Sequence, residues 1–307
     1  MRLKKILSLF INMTCNQIIE ISTNFSSNTT LTNNFTYVIN GEIHVLQGVT
    51  LNIEFNTLIM IRNGIYKNST INRSALIFDT GSTLYASDFY LTSCNSNNIS
   101  EPLADNGGLW FVGSSSSVEK DGIVCKYSPL SSSFNANKIY IYYLGSTDPV
   151  VQNKNNNKDE PSSDQDGITL LGCAPFEWNI LGIYVENSGD NAIDVVESHV
   201  TINDIEVVHP GEDAINIQSG QLEVINNLRL YVPLTNVYDR DIFDFETNNG
   251  FSYMRIAKHC YVEIVGIFGD QLNLTSNDLP QPNGDNLYYY KGITTRGDTY
   301  IWTRNMN

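Results

Sequence analysis

The chain has 307 residues, of which 41% are apolar, and its formal net charge at pH 7 is −15. This net negative charge excludes a protein that binds nucleic acid through its phosphates, because such proteins neutralise the phosphates with Lys and Arg. The apolar content without any long apolar run predicts a folded chain that is not a transmembrane protein.

The N-terminal residues are typical of a secretory signal segment. Met1-Arg2-Leu3-Lys4-Lys5 is basic, and Ile6 to Ile11 is a short apolar stretch. Asn12 interrupts the pattern and no small-residue cleavage site follows, so cleavage and retention both stay open. We expect residues 1–34 to form this segment and an irregular lead-in.

Asn-x-Ser/Thr sequons, the acceptor sites for N-glycosylation, recur along the chain and favour an extracellular glycoprotein. They begin at Asn12, Asn24, Asn28, Asn34, Asn68, Asn72, Asn98 and Asn273. The five cysteines have no Cys-x-x-Cys spacing for zinc, so we expect them to be buried thiols.

From Phe35 onward the chain contains short β-rich runs separated by glycines. Gly48–Leu51 and Gly81–Leu84 have the same pattern and predict the same corner in two successive turns of the fold. A polar stretch of low complexity, about residues 151–165, predicts a loop inserted between turns.

Residues 163–233 contain an internal repeat. Ile168, Ile193 and Ile215 lie 25 and then 22 positions apart, and Leu170, Val195 and Ile217 follow at the same steps. A second set of columns joins Ile183, Ile205 and Leu228, and Val185, Val207 and Leu230. Apolar and polar residues alternate within each segment, as in strands with one buried face. Short strands stacked at this period predict an all-β fold, a single-stranded right-handed parallel β-helix (solenoid).

The end of the chain departs from this pattern. We expect the β-helix to span residues 35–270, with Tyr261–Ile267 as a last turn. Residues 272–287 predict a loop, and the aromatic runs at 288–290 and 299–303 predict strands. Residues 271–307 would then be a cap or contact segment that covers the last cross-section.

Seven phrases of the chain follow one another in an order that is known from other proteins. They are Tyr37–Val45, Gly48–Glu54, Asn106–Gly113, Ile139–Tyr143, Gly167–Gly172, Gly189–Ile193 and Asp241–Phe245. They resemble phrases of bacterial secreted and cell-surface β-helix proteins, within the pectate-lyase-like superfamily of right-handed solenoids. The resemblance implies a fold and a surface location, and it covers about residues 35–250.

The same superfamily includes polysaccharide hydrolases and lyases, so catalysis has to be judged residue by residue. Asp166, Asp190 and Asp213 are the candidate catalytic residues. Asn191 stands where a polygalacturonase has its second Asp, and no Gly-His-Gly follows. Hydrolysis of a glycoside needs a pair of carboxyl groups at a defined separation. These departures favour a protein that is not an enzyme.

The acidic residues fall near one corner of successive turns and predict an acidic row. This row is either a solvated edge, a structural Ca²⁺ site or, last in preference, a catalytic Ca²⁺ site. The expected Ca²⁺ ligands are Asp166, Asp190, Glu212 and Asp213, and the expected ligand-binding residues are Glu212 and Asp194.

These observations predict a structural or adhesive protein, secreted or displayed on a cell or virion surface. Its expected partner is a polysaccharide or a surface protein, and a homo-oligomer such as a trimeric fibre stays open. The alternative is a polysaccharide hydrolase or lyase.

Overall fold

The computed structural model describes residues 17–67, 70–146, 165–234, 240–247, 249–269 and 272–303. These ranges are all-β, and none of them contains a helix long and apolar enough to cross a membrane. The strands are β1 (Gln17–Ile21), β2 (Thr29–Leu31), β3 (Phe35–Ile39), β4 (Glu42–Val45), β5 (Thr50–Ile53), β6 (Thr57–Arg62), β7 (Ile65–Lys67), β8 (Thr70–Asn72), β9 (Ala75–Phe78), β10 (Thr83–Ala86), β11 (Asp88–Cys94), β12 (Leu109–Val112), β13 (Val118–Lys120), β14 (Ile123–Cys125), β15 (Ser133–Tyr142), β16 (Ile168–Leu171), β17 (Trp178–Glu186), β18 (Ile193–Val196), β19 (His199–Val208), β20 (Ile215–Gln218), β21 (Gln221–Tyr231), β22 (Phe243–Glu246), β23 (Tyr253–Ile256), β24 (Tyr261–Gly266), β25 (Leu272–Thr275), β26 (Tyr288–Ile293) and β27 (Thr299–Thr303).

Most strands belong to two sheets. The long sheet has 16 strands in the order β1-β3-β6-β11-β15-β17-β19-β21-β23-β27-β25, with β2, β5, β10, β24 and β26 paired beside this path. The short sheet has seven strands in the order β22-β20-β18-β16-β12-β9-β4. From β15 to β23 the chain alternates between the two sheets. Within each sheet, successive strands of this series pair in parallel with one another.

The register confirms the columns that the repeat predicts. Ile168 pairs with Ile193 and Ile193 with Ile215 in the short sheet, whereas Ile183, Ile205 and Leu228 pair successively in the long sheet. All six side chains are buried, with exposed fractions of 1% or less. Phe243 pairs with Ile215 and continues the first column, so the Asp241–Phe245 phrase adds one more parallel strand to the short sheet.

A left-handed backbone turn recurs where the chain leaves each sheet. After long-sheet strands it falls at Tyr143, Asn187 and His209, with φ of 56°, 55° and 54°. The amide of each of these residues donates to the backbone carbonyl of the last residue in the next strand of the long sheet. After short-sheet strands it falls at Gly172, Glu197 and Ser219. The same left-handed backbone conformation therefore recurs at equivalent positions of the repeat. Most of these residues are not glycine, and a positive φ costs them steric strain.

The apolar core combines inward-facing residues of both sheets in one cluster. One part of the core is aromatic: the rings of Phe78 and Phe111 stack 5.0 Å apart, and Phe134 and Trp178 pack edge-on against Phe111. Edge-on and stacked rings add stability beyond the area they bury.

A hairpin of β13 and β14 (residues 118–125) covers part of the outer face of the short sheet. Here a second apolar cluster contains Ile77, Trp110, Leu171 and Val196, which point away from the main core. Hairpin residues Val118, Ile123 and Cys125 pack against them. The short sheet is therefore buried on both faces at this position.

Two segments differ from their sequence prediction. The lead-in contains strands β1 and β2, and β1 pairs in parallel with β3 over five residues, so residues 17–34 are not simply irregular. Near the other end, Leu272–Thr275 forms strand β25 where we expected loop. The strands predicted at 288–290 and 299–303 are confirmed as β26 and β27.

The C-terminal strands pair antiparallel with the last parallel strands of the long sheet. Strand β26 pairs with β24, and β27 pairs with β23 and β25. The hydrogen-bonding edges of β23 and β24 are thereby satisfied, which prevents these edges from pairing with another chain.

Four cysteines, Cys94, Cys125, Cys173 and Cys260, are buried free thiols, as expected. Cys15, the signal-like residues 1–11 and all of the predicted inserted loop except Gln165 lie outside the described residues.

Glu177 joins three segments of the chain through its buried carboxylate, which is 1% exposed. Its Oε1 atom accepts hydrogen bonds from Ser114 Oγ at 2.6 Å and from the Ser132 amide at 2.8 Å. Its Oε2 atom accepts from the amides of Ala174 at 2.8 Å and Ser114 at 3.2 Å. Four donors therefore depend on one side chain.

We expect Glu177→Gln to lower the free energy of unfolding by about 1–3 kcal/mol, because an amide NH₂ would face N–H donors that need an acceptor. Urea unfolding measures the change. The same substitution at exposed Glu119 is the control, and equal stability of the two variants would contradict this role of Glu177.

Candidate functional site

The acidic residues singled out in the sequence lie where the chain enters the short sheet. We call this region the polar corner (residues 165–167, 190–192, 212–214 and 240–242). Two positions before the paired column of Ile168, Ile193, Ile215 and Phe243, the register aligns Asp166, Asn191, Asp213 and Asp241. One position earlier it aligns Gln165, Asp190, Glu212 and Arg240. The expected single row is therefore two adjacent columns.

Asp166 is not on a solvated edge. Its side chain is 1% exposed, and its Oδ2 atom accepts hydrogen bonds from Lys120 Nζ at 2.7 Å and from Thr169 Oγ1 at 3.0 Å. Lys120 ends strand β13 of the covering hairpin and also binds Asp194 Oδ2. One ammonium group thus links two buried carboxylates under the hairpin.

The electrostatics of this cluster are set by burial and by mutual attraction. Burial is the largest cause that raises the pKa of Asp194 to about 7, and Asp166 raises it further while Lys120 opposes the rise. Burial disfavours the charge on Lys120, but the two carboxylates outweigh it and raise the pKa of the lysine well above its usual range. Lys120 therefore stays protonated at neutral pH.

Asp190 and Asp213 are also buried, at 7% and 6% exposure. The Oδ1 atom of the Asp213 carboxyl group accepts a hydrogen bond from the Asp241 amide at 2.6 Å. Burial is the main cause that raises the pKa of Asp213 to about 9, with further increases from Glu212 and other nearby carboxylates. Asp213 is therefore neutral at pH 7, and only the Glu212 side chain of the candidate set is partly exposed.

Within the described ranges, no three His, Cys, Asp or Glu side chains are grouped closely enough to hold a metal ion together. The expected Ca²⁺ at Asp166, Asp190, Glu212 and Asp213 therefore stays a prediction. The same is true of the catalytic and ligand-binding roles assigned to these residues and to Asp194.

A shallow groove of about 330 Å³ lies on the outer face of the long sheet. Tyr85, Asn135 and Asn179 pair in register across β10, β15 and β17, so they form one row on this face. Asn179 Nδ2 donates to Asn135 Oδ1 at 3.0 Å. Tyr85 is 53% exposed, and Leu181 at the other side of the groove is 41% exposed. The groove thus combines amide groups with exposed apolar surface.

A row of outward-facing tyrosines follows further along the chain, on β11, β15 and β17. The rings of Tyr90 and Tyr140 stack 4.8 Å apart, and Tyr184 follows at 6.0 Å. Tyr184 Oη donates to Glu186 Oε2 at 2.6 Å. Lys138 Nζ lies 5.0 Å from the centre of the Tyr140 ring. On β15 the outward amide lies before the interruption of the alternation at Asn137 and Lys138, and the outward tyrosine lies after it.

Comparisons of the chain with known protein families, with curated proteins and with solved structures give no match.

Sequence reasoning missed Lys120 and the groove residues Tyr85, Asn135 and Asn179. Alternation in β15 indicates that Asn135 and Tyr140 face outward, because Asn135 lies between buried Phe134 and Ala136 and Tyr140 lies between buried Ile139 and Ile141. No sequence signal places Lys120 beside Asp166, because the hairpin is not part of the repeat.

Proposed function

We propose that the chain is a single-stranded right-handed parallel β-helix that belongs with the pectate-lyase-like solenoids. The support is the in-register parallel stacking of both sheets and the alternation of the chain between them. The ordered phrases that resemble secreted β-helix proteins point in the same direction. In such a fold each turn contacts only its neighbours, so the outer faces form long surfaces for binding.

We further propose that the protein binds a glycan along the outer face of the long sheet, as a secreted or surface-displayed adhesion protein. The observation that carries this proposal is the groove with Tyr85, Asn135 and Asn179 in one row. Binding sites for small ligands combine apolar surface with a few placed polar groups. A sugar offers C–H faces to an aromatic ring and hydroxyl groups to amides, so this row suits it.

Surface display is supported by the side chains of three sequon asparagines. Asn24, Asn28 and Asn34 are exposed near the N-terminal strands, so a glycosyltransferase would reach them.

The burial of the candidate catalytic acids supports binding of the glycan without its cleavage. Asp166, Asp190 and Asp213 have exposed fractions of 1%, 7% and 6%. A general acid or base has to come within hydrogen-bond reach of the substrate. These three carboxyl groups offer little surface for such contact, whereas the groove lies on a different sheet.

The test is isothermal calorimetry of the purified protein with neutral, amino-sugar and uronic-acid oligosaccharides. We expect binding to at least one class, and we expect Tyr85→Ala to weaken it about tenfold through the loss of ring contact. Asn179→Ala is expected to weaken it as well. Tyr127→Ala removes a ring that is 73% exposed but does not line the groove, and is the matched control.

Binding that is unchanged in Tyr85→Ala and Asn179→Ala would contradict the groove as the site. The same mixtures are assayed for new reducing ends and for unsaturated products. Release of either product would overturn the non-enzymatic proposal in favour of a hydrolase or a lyase.

A further inference from the structure

The cluster beneath the covering hairpin has more hydrogen-bond acceptors than donors. Lys120 Nζ binds the Oδ2 atoms of Asp166 and Asp194. The Oδ1 atoms of both carboxylates are buried and accept no hydrogen bond from the protein, and the same is true of Asn216 Oδ1. The three side chains are 1%, 0% and 4% exposed. A buried acceptor without a donor costs free energy, and an ionised one costs more.

The three acceptors are close together. Asp194 and Asn216 are directly paired residues of neighbouring strands β18 and β20, and such strands lie about 4.8 Å apart. Both side chains point outward, because Ile193 and Ile215 beside them belong to the core. Asp166 and Asp194 both bind the ammonium group of Lys120, so their carboxyl groups lie on either side of one nitrogen atom.

The charge of the cluster is also incomplete. When Asp166 and Asp194 are both ionised, their two carboxylates and the one ammonium group of Lys120 leave one negative charge in a buried place. Asp121 in the same hairpin and Glu246 at the end of β22 are further carboxyl groups that interact electrostatically with the cluster, and Arg73 acts on Asp121. A bound cation would compensate part of this negative charge.

We propose that this cluster binds a small monovalent cation such as Na⁺, with Asp194 Oδ1 and Asn216 Oδ1 as ligands and Asp166 Oδ1 beside them. Oxygen donors are the ligands that hard cations prefer. Both carboxylates are shared with Lys120, and the positive charge of the lysine repels a divalent ion more strongly than a monovalent one. The cation would help to hold the hairpin over the short sheet through Lys120 and the carboxylates.

The test compares thermal unfolding of the purified protein at pH 8.5 in NaCl and in choline chloride at equal concentration. We expect a melting temperature about 2–4 °C higher in NaCl when the ion is in tenfold excess over its dissociation constant. Sodium-23 NMR relaxation should show binding to the wild-type protein directly. Asn216→Ala removes one ligand and should abolish both effects, whereas Asn277→Ala, on an exposed turn, should retain them.

Equal melting temperatures in NaCl and choline chloride would overturn the proposal. They are the outcome expected if the Asn216 amide is rotated so that its Nδ2 donates to Asp194 Oδ1. A larger rise with millimolar Ca²⁺ than with NaCl would overturn the monovalent assignment. Retention of the sodium effect in Asn216→Ala would overturn the assignment of the ligands.

Discussion

Ile215→Asp is expected to unfold the protein. Ile215 is completely buried, and it lies in register between Ile193 on one side and Phe243 on the other. A carboxylate at this position would have no partner, and an unpaired buried charge costs several kcal/mol against a total stability of about 5–15 kcal/mol. Loss of soluble yield, or loss of the cooperative thermal transition in circular dichroism, is the measurement.

The control is Gln218→Asp, three residues further along the same strand. Gln218 is only partly buried, and a carboxylate there reaches water, so we expect a change within about 0.5 kcal/mol. An Ile215→Asp variant that melts at the wild-type temperature would contradict the inward direction of this column and therefore the register of both sheets.

The inward columns were predictable from the sequence because the side-chain period of a strand is two. Once Ile168, Ile193 and Ile215 align at a regular step, a shift of one residue would turn every apolar side chain outward. The repeat therefore specifies which residues are buried and which strands pair. The same reasoning explains why the polar corner was placed correctly in the chain, although as two columns instead of one.

Burial of the acidic residues beneath the covering hairpin was not predictable. Asp194 is a polar residue between Ile193 and Val195, so alternation predicts that it faces water. The residues that cover it come from the hairpin, and Lys120 is 74 positions from Asp194 in sequence. A single contact at this separation leaves no periodic signal. Similarly, Asn135 and Asn179 are hydrogen-bonded although they are 44 positions apart in sequence, and only the register of β15 with β17 brings them together.

The lead-in shows the opposite error. Gln17–Ile21 alternates weakly, and the segment around it is rich in Asn, Ser and Thr, which favours loop by composition. The strand forms because β3 offers a parallel edge over its full length. Tertiary pairing overrides local propensity in such short strands.

Lys120→Met is expected to destabilise the protein by about 3–5 kcal/mol at pH 8, because it leaves two carboxylates buried without their common counter-ion. The loss should be smaller at pH 5. In the wild-type protein burial raises the pKa of Asp194 from 3.8 to about 7, and Lys120 restrains the rise. Removing the lysine therefore raises the pKa of Asp194 further.

The direction of the pH effect follows from linkage. A carboxyl group with a raised pKa in the folded state stabilises the fold most below its unfolded value, 3.8 for Asp194. That stabilisation is lost as the pH rises toward the folded pKa. Because the pKa of Asp194 is higher still in Lys120→Met, the variant continues to lose stability above pH 7. The difference in unfolding free energy between wild type and variant should therefore grow from pH 5 to pH 8.

Lys126→Met is the matched control, because Lys126 follows the same hairpin and is exposed. It should change stability little at either pH. Adding Asp194→Asn to Lys120→Met removes the carboxyl group whose pKa is raised, so most of the pH dependence should disappear. Urea unfolding at pH 5 and pH 8 distinguishes these cases. An equal loss at both pH values would mean that Lys120 stabilises the hairpin by packing its aliphatic chain and not by pairing with Asp166 and Asp194.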